Sequence, residues 1–189
     1  MASRPGWLRL PWRRDGRRQH DPYWDFFVNT PPADRANSVL EAIGNAPEGN
    51  VFPTRADLHS PEVTASHVKE MARYLGADLV GIAALDADDA GHRFAIVCAV
   101  RAQDDPRQAR GIGGQVPVQN GLFVTFVLSA WIRELGYRAS TTGSLDAQRM
   151  AVAAKLGSLD RSGKLVTAEH GTRVHVADVI RTDLPLVAA

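Results

Sequence analysis

The chain has a single cysteine, Cys98, among its 189 residues. That excludes an internal disulfide framework, and it excludes any cluster held by several of the chain's own thiolates. Cys98 sits in the apolar run FAIVCAV, where a small buried hydrophobe is expected. Charge of one sign is also lacking, since the formal net charge is +1. No strong field draws the whole molecule toward nucleic acid or a membrane, so neither is expected as a partner. No window approaches the roughly 18 consecutive apolar residues of a transmembrane helix, and a soluble, cytoplasmic protein is expected. Tyrosine is scarce: only Tyr23, Tyr74 and Tyr137 occur.

Several catalytic patterns are missing as well. No His-Glu-x-x-His spacing links any of the histidines, so a helical zinc site has no support. His170 and His175 flank one turn but do not by themselves make a metal site. There is no Gly-x-Ser-x-Gly elbow, and Cys98 has no histidine close in sequence, so nucleophilic catalysis has no positive signal. The glycine-rich stretch Gly111-Ile112-Gly113-Gly114 lacks the Lys-Ser/Thr partner of a phosphate loop and is expected to be a plain loop.

What is present is the composition of a globular domain: 44% hydrophobic and 23% charged residues. At 20.5 kDa, one core is expected. The first residues differ from the rest. Arg4, Arg9, Arg13, Arg14, Arg17 and Arg18 are opposed there by Asp15 alone. The pair Arg13-Arg14 invites comparison with a twin-arginine export signal, but the chain continues into DGRRQHDPYWDFF rather than an apolar run, and that reading fails. Residues 1–30 are therefore expected to be a basic and aromatic arm that packs Trp7, Trp12 or the Tyr23-Trp24-Phe26-Phe27 cluster on a single domain over residues 31–189.

Along that domain, Ala33 to Ile43 can form a short helix ending at Gly44. Ser60-Pro61 is a helix start, a capping serine followed by proline in the first turn, and apolar residues then recur at helical spacing up to Gly76. Leu79–Ala84 and Phe94–Val100 read as buried strands. Pro117 is expected to open a long helix, apolar on almost every side, that ends at Gly136. A second helix is expected over Asp146–Leu156. Lys164–Thr167 and Thr172–Val176 read as strands around a Glu-His-Gly turn, with Val179-Ile180 extending the second. Elements alternating without a strict βαβ rhythm indicate an α+β fold with a central mixed sheet and helices on both sides.

The runs WIRELGYRAS and MAVAAKLGSLDRSGKLVTAEHGTRVHV and the ending TDLPL resemble the cobalamin-binding core of reductive dehalogenases, and more distantly epoxyqueuosine reductase. The upstream HVKEMARYLGADLVGIAAL and HRFAIVCAV fit the same family in the same order, so the resemblance spans roughly Ser60 to Leu186. It implies a nitroreductase-like three-layer sandwich, a scaffold shared by a human cobalamin-processing protein. In those families this segment leads into cysteine-rich iron–sulfur motifs, whereas this chain ends at Ala189.

The resemblance implies cobalamin as cofactor. A flat ring fringed with amides needs an apolar face beside it and short hydrogen-bonding turns at its edge. Three turns meet that description: Ser140, Thr141 and Thr142; Leu156, Gly157 and Ser158; and His170, Gly171 and Thr172. The Asp-x-His-x-x-Gly run that supplies a histidine to cobalt in another cobalamin class is absent. Arg173 matches a family arginine near the substrate side of the ring. The family's proton-donating tyrosine falls where this chain has none, between residues 75 and 136, which leaves Tyr137 as the substitute. The resulting expectation is a corrinoid-binding protein without its own iron–sulfur relay. Its electrons would come from a separate donor protein or a diffusible reductant, and its small-molecule substrate is not specified. The alternatives are an FMN-dependent or cofactor-free enzyme on the same scaffold, using Arg173, His170, Thr142 and Tyr137, or a pure interaction module. A homodimer is compatible with all of these.

Overall fold

Ser60 starts the first long helix as its sequence predicts. The Ser60 hydroxyl accepts the peptide N–H of Val63, and Pro61 fills the first turn. The computed structural model describes Phe26 and residues 39–86, 91–103, 111–141, 143 and 145–188. Apart from Phe26, the expected arm lies outside the described residues, as do Thr142 and the turn at Asp104–Pro106.

The helices are α1 (Val39–Gly44), α2 (Pro61–Tyr74), α3 (Ile112–Glu134) and α4 (Ala147–Ala153). The strands are β1 (Leu79–Ala84), β2 (Phe94–Arg101), β3 (Ala139–Ser140), β4 (Ser158–Leu159), β5 (Leu165–Val166), β6 (Val174–Val176) and β7 (Ile180–Thr182). β2 is the spine. β1 pairs along one flank, from Leu79 opposite Ala99 to Ala84 opposite Phe94. The other flank is shared end to end: β6 pairs with Ala99–Arg101 and β7 with Phe94–Ile96. Between them Ala177, Asp178 and Val179 pass two residues of β2, so the expected extension of β6 exists, interrupted by one extra residue. β3 adds to the outer side of β7.

Every described pairing is antiparallel, which corrects the expected mixed sheet. A parallel pair requires a crossover that returns the chain in the direction of its neighbour. Here β1 and β2 form a hairpin, and the later strands each run opposite to the strand they join.

Side chains alternate across a strand, and both faces of this sheet are covered. Val80, Ile82, Ile96 and Cys98 pack on α2 and α3 through Val68, Ala72, Val124, Leu128 and Ile132. Ala83, Ala95 and Val97 point the other way, onto Ala151 of α4, onto its capping residue Ala154 and onto Leu165. The second face is built from small residues, which lets α4 lie close to β1.

The long helix begins earlier than Pro117. Its first turn is Ile112-Gly113-Gly114, corrected here from loop to helix, and the Gly111 carbonyl accepts N–H bonds from both Gly114 and Gln115. Pro117 is tolerated inside because the carbonyl that its ring crowds belongs to Gly113, the residue four back, which bends most easily. The expected stop holds. Gly136 has φ +82° and passes under the backbone of Thr54 and Arg55, where a Cβ would collide. The helix is not buried all round, since Val116 and Phe123 are exposed. Among the described residues, no helix is long and apolar enough to cross a membrane.

Candidate functional site

Two of the three predicted turns meet. α4 is capped by Asp146, whose carboxylate accepts from Gln148 and Arg149. It ends at Ala154, and Lys155 then takes φ +60°, letting the Leu156 N–H bond back to the Ala151 carbonyl. Gly157 follows, so tight against β5 that a Cβ would overlap the Val166 carbonyl oxygen. β4 and β5 pair from Ser158 opposite Val166, and their connection is fixed by Asp160, which accepts from the Ser162 N–H and hydroxyl and from the Lys164 N–H.

The chain then turns on itself. Thr167 and Gly171 exchange two backbone hydrogen bonds, and the buried Thr167 hydroxyl accepts the His170 N–H. Arg173 N–H donates to the His170 carbonyl, while its own carbonyl accepts from Ala102. Register thus places Gly157 beside Thr167 and Thr167 beside Gly171, about 10 Å across at ordinary strand spacing. Leu156, Gly157, Ser158, His170, Gly171 and Thr172 form one hairpin-borne cluster. Ser158 and Arg173 on it are exposed, and the others are half-buried.

Ser140 and Thr141 are elsewhere, on the far edge of the sheet, where the Ser140 hydroxyl and the Thr141 N–H are already engaged. The Ser140 hydroxyl donates to Glu48 Oε1 at 2.6 Å, and the Thr141 N–H to the same oxygen at 3.1 Å. Beneath them lies the buried Arg133, donating to the Ala139 carbonyl at 2.8 Å. Burial pushes the affinity of the Arg133 guanidinium for its proton down, and the Glu48 charge opposes that shift.

Tyr137 and Arg173 are not brought together. Tyr137 precedes β3, which lines up with Phe94, whereas Arg173 precedes β6, which lines up with Arg101. β2 rises about 3.3 Å per residue, so these ends lie about 23 Å apart. The Tyr137 ring is buried under the Arg55 guanidinium, 4.8 Å from its centroid, and its hydroxyl donates to the Ala56 carbonyl at 3.4 Å.

Glu48, in a loop without periodicity, escaped the sequence reading and gave no signal. His175 was considered there only beside His170, yet its burial was signalled: in Val174-His175-Val176 both valines pack toward α4, which turns the imidazole toward α3. There it lies against Gly121, at whose Cβ position the His175 ring would stand 3.1 Å away. Burial holds the His175 pKa below its usual value, helped by Lys164 and opposed by Asp178. Among the described residues no cluster of three or more His, Cys, Asp or Glu side chains is placed to hold a metal.

This α+β fold, with its antiparallel sheet and helices, is similar to part of the reductive dehalogenases. Catabolic reductive dehalogenase NpRdhA, solved with 3-bromo-4-hydroxybenzoic acid, matches 75% of this chain at 28% identity and a TM-score of 0.60. A second dehalogenase structure, described in connection with B12-dependent dehalogenation, matches 86% at 26% identity and a TM-score of 0.63. Epoxyqueuosine reductase from Bacillus subtilis, at 15% identity and a TM-score of 0.47, is too distant to argue from. The chain spans about a quarter of the length of the dehalogenases, 22% and 27% of them. No family model and no curated protein matches it.

Proposed function

We propose that this chain is a corrinoid-binding unit of reductive-dehalogenase type, arranged as a nitroreductase-like three-layer sandwich. The observation that carries this reading is the convergence of the Leu156–Ser158 and His170–Thr172 turns on one hairpin, in a chain similar to a B12-dependent dehalogenase over most of its length. The residues fit the group. Gly157 and Gly171 bring backbone close to the hairpin surface, and the exposed Ser158 carries a hydroxyl that both donates and accepts, as an amide-fringed ring requires. Arg173, exposed beside them, supplies a cation on a backbone held by the His170 carbonyl and the Ala102 N–H.

A bound corrinoid would supply cobalt-centred electron-transfer chemistry. This chain's residues would hold its edge and set the local charge. Tyr137, spent on the Ala56 carbonyl, is poorly placed to give a proton at the Arg173 end. Cys98 is the only thiol, and a cluster needs about four thiolates. One thiol cannot hold an all-cysteine cluster within these residues, so electrons would reach the site from a group outside them, for which a donor protein or a diffusible reductant is the proposed source.

Titration of the purified protein with hydroxocobalamin and with cob(II)alamin, followed by visible spectra and calorimetry, tests the reading. Saturable spectral change that Gly157→Val abolishes and Ser140→Ala leaves intact is the expected result. No binding in either oxidation state overturns it, and saturable binding of FMN in a parallel titration would move the assignment to flavin.

A further inference from the structure

At the end of the sheet away from the hairpin, strand pairing continues one residue past Phe94, Thr182 and Ala139. The Arg93 N–H donates to the Thr182 carbonyl, and the Asp183 N–H to the Arg138 carbonyl. Arg93, Asp183 and Arg138 thus form a row across three strands, with adjacent positions about 5 Å apart. The row lies on the face opposite Phe94 and Ala139, which pack toward α2 and α3.

Asp183 is nearly buried, its side chain 8% exposed, and it accepts three hydrogen bonds. Its Oδ1 accepts the Arg138 N–H at 2.7 Å, while its Oδ2 accepts Arg138 Nε at 3.0 Å and an Arg55 Nη at 2.9 Å. The two guanidiniums are held by one oxygen yet remain 49% and 59% exposed. Each is fixed a second time: Arg55 over the Tyr137 ring, and Arg138 against Gly91, which has no side chain to displace it. Arg93, also exposed, occupies the third backbone position of the same row. Among the described residues, three arginines thus stand at this end of the sheet, two of them paired with the one carboxylate of Asp183.

Surface ion pairs contribute little to stability, and a lone arginine would satisfy Asp183. Guanidinium forks match the oxygen spacing of carboxylate and phosphate. We propose that Arg55, Arg93 and Arg138 form a binding site for a phosphate-type dianion, with Asp183 as its internal brace. Three arginines against Asp183 leave an excess of two positive charges among these four side chains, which suits one compact, doubly charged group, either free phosphate or the phosphate end of an ester. The site lies apart from the candidate corrinoid hairpin and does not depend on it.

The test is an NMR titration of the intact chain, reading the arginine Nε–Hε signals with inorganic phosphate, with phenyl phosphate, and with chloride at matched ionic strength. Saturable shifts at Arg138 with both phosphates and not with chloride are expected. Arg93→Gln, which leaves every Asp183 contact in place, weakens binding about tenfold, the loss of a charge-assisted hydrogen bond. Tighter binding of phenyl phosphate identifies esters as the natural ligand, and equal binding identifies phosphate itself. Shifts that chloride reproduces, or undiminished binding by Arg93→Gln with a native amide spectrum, would overturn the proposal.

Discussion

Gly157 and Val166 are in backbone contact: the glycine lies so close to the valine carbonyl oxygen that no Cβ fits between them. Gly157→Ala must therefore push β4 away from β5. A loss of about 1–3 kcal/mol in urea unfolding is expected, the usual cost of an added methyl in a packed site. Unchanged stability would show that the hairpin shifts freely, and that its two turns are not held in register.

Glu48 ties the strap before α2 to the sheet edge by two short hydrogen bonds and faces the buried Arg133. Glu48→Ala removes both bonds and the opposing charge, and is expected to cost about 2–3 kcal/mol. Glu48→Gln, which keeps an acceptor, should recover part of that loss. If Glu48→Ala unfolds at the wild-type denaturant midpoint, the strap is not anchored there.

His175 gives the fold a pH dependence. Burial against α3 lowers its pKa in the folded protein, so the unfolded chain takes up the proton first. Its contribution is fully present above the ordinary imidazole value of about 6.5 and is lost as pH falls through the lower folded value. Thermal unfolding from pH 8 to pH 5 should show a drop in midpoint that His175→Gln reduces. Identical profiles for the two proteins would remove His175 from this role.

Cys98 should be silent in the native state. It is fully buried on β2, and burial pushes its thiol up to about 12. Thiolate is the reactive form, so a disulfide reagent at pH 8 is expected to label the protein only after unfolding. Rapid stoichiometric labelling of folded protein would contradict the packing at the centre of the sheet.

Much of the fold was legible because local signals agreed with tertiary demand. Ser60-Pro61, the apolar runs of β1 and β2, and Gly136 each carry their cause in neighbouring residues. The start of α3 was not legible. Gly111 to Gly114 read as loop because glycine disfavours helix, and only the long helix behind them holds those residues in its first turn. Sheet direction was hidden too, since alternating apolar residues fit parallel and antiparallel pairing alike. At the candidate site, the hydroxyl-rich turns were visible, but their separation was not. Nothing in Ser140-Thr141 announces that Glu48, remote in sequence, has taken both donors.

β2 takes its partners on one flank from two strands laid end to end, and this sets an order of events as the chain folds. The hairpin with β1 closes a short loop and can form early, leaving half of β2's backbone groups without partners. Phe94 then waits for Thr182 and Ala99 for Val176, both on the far side of α3 and the β4–β5 hairpin. Closure over such separations is slow because the intervening chain must be ordered before the pairing rewards it. The open flank of β2 is accordingly the surface on which an incompletely folded chain would join another copy of itself. Speed of folding, more than final stability, is what this arrangement places at risk.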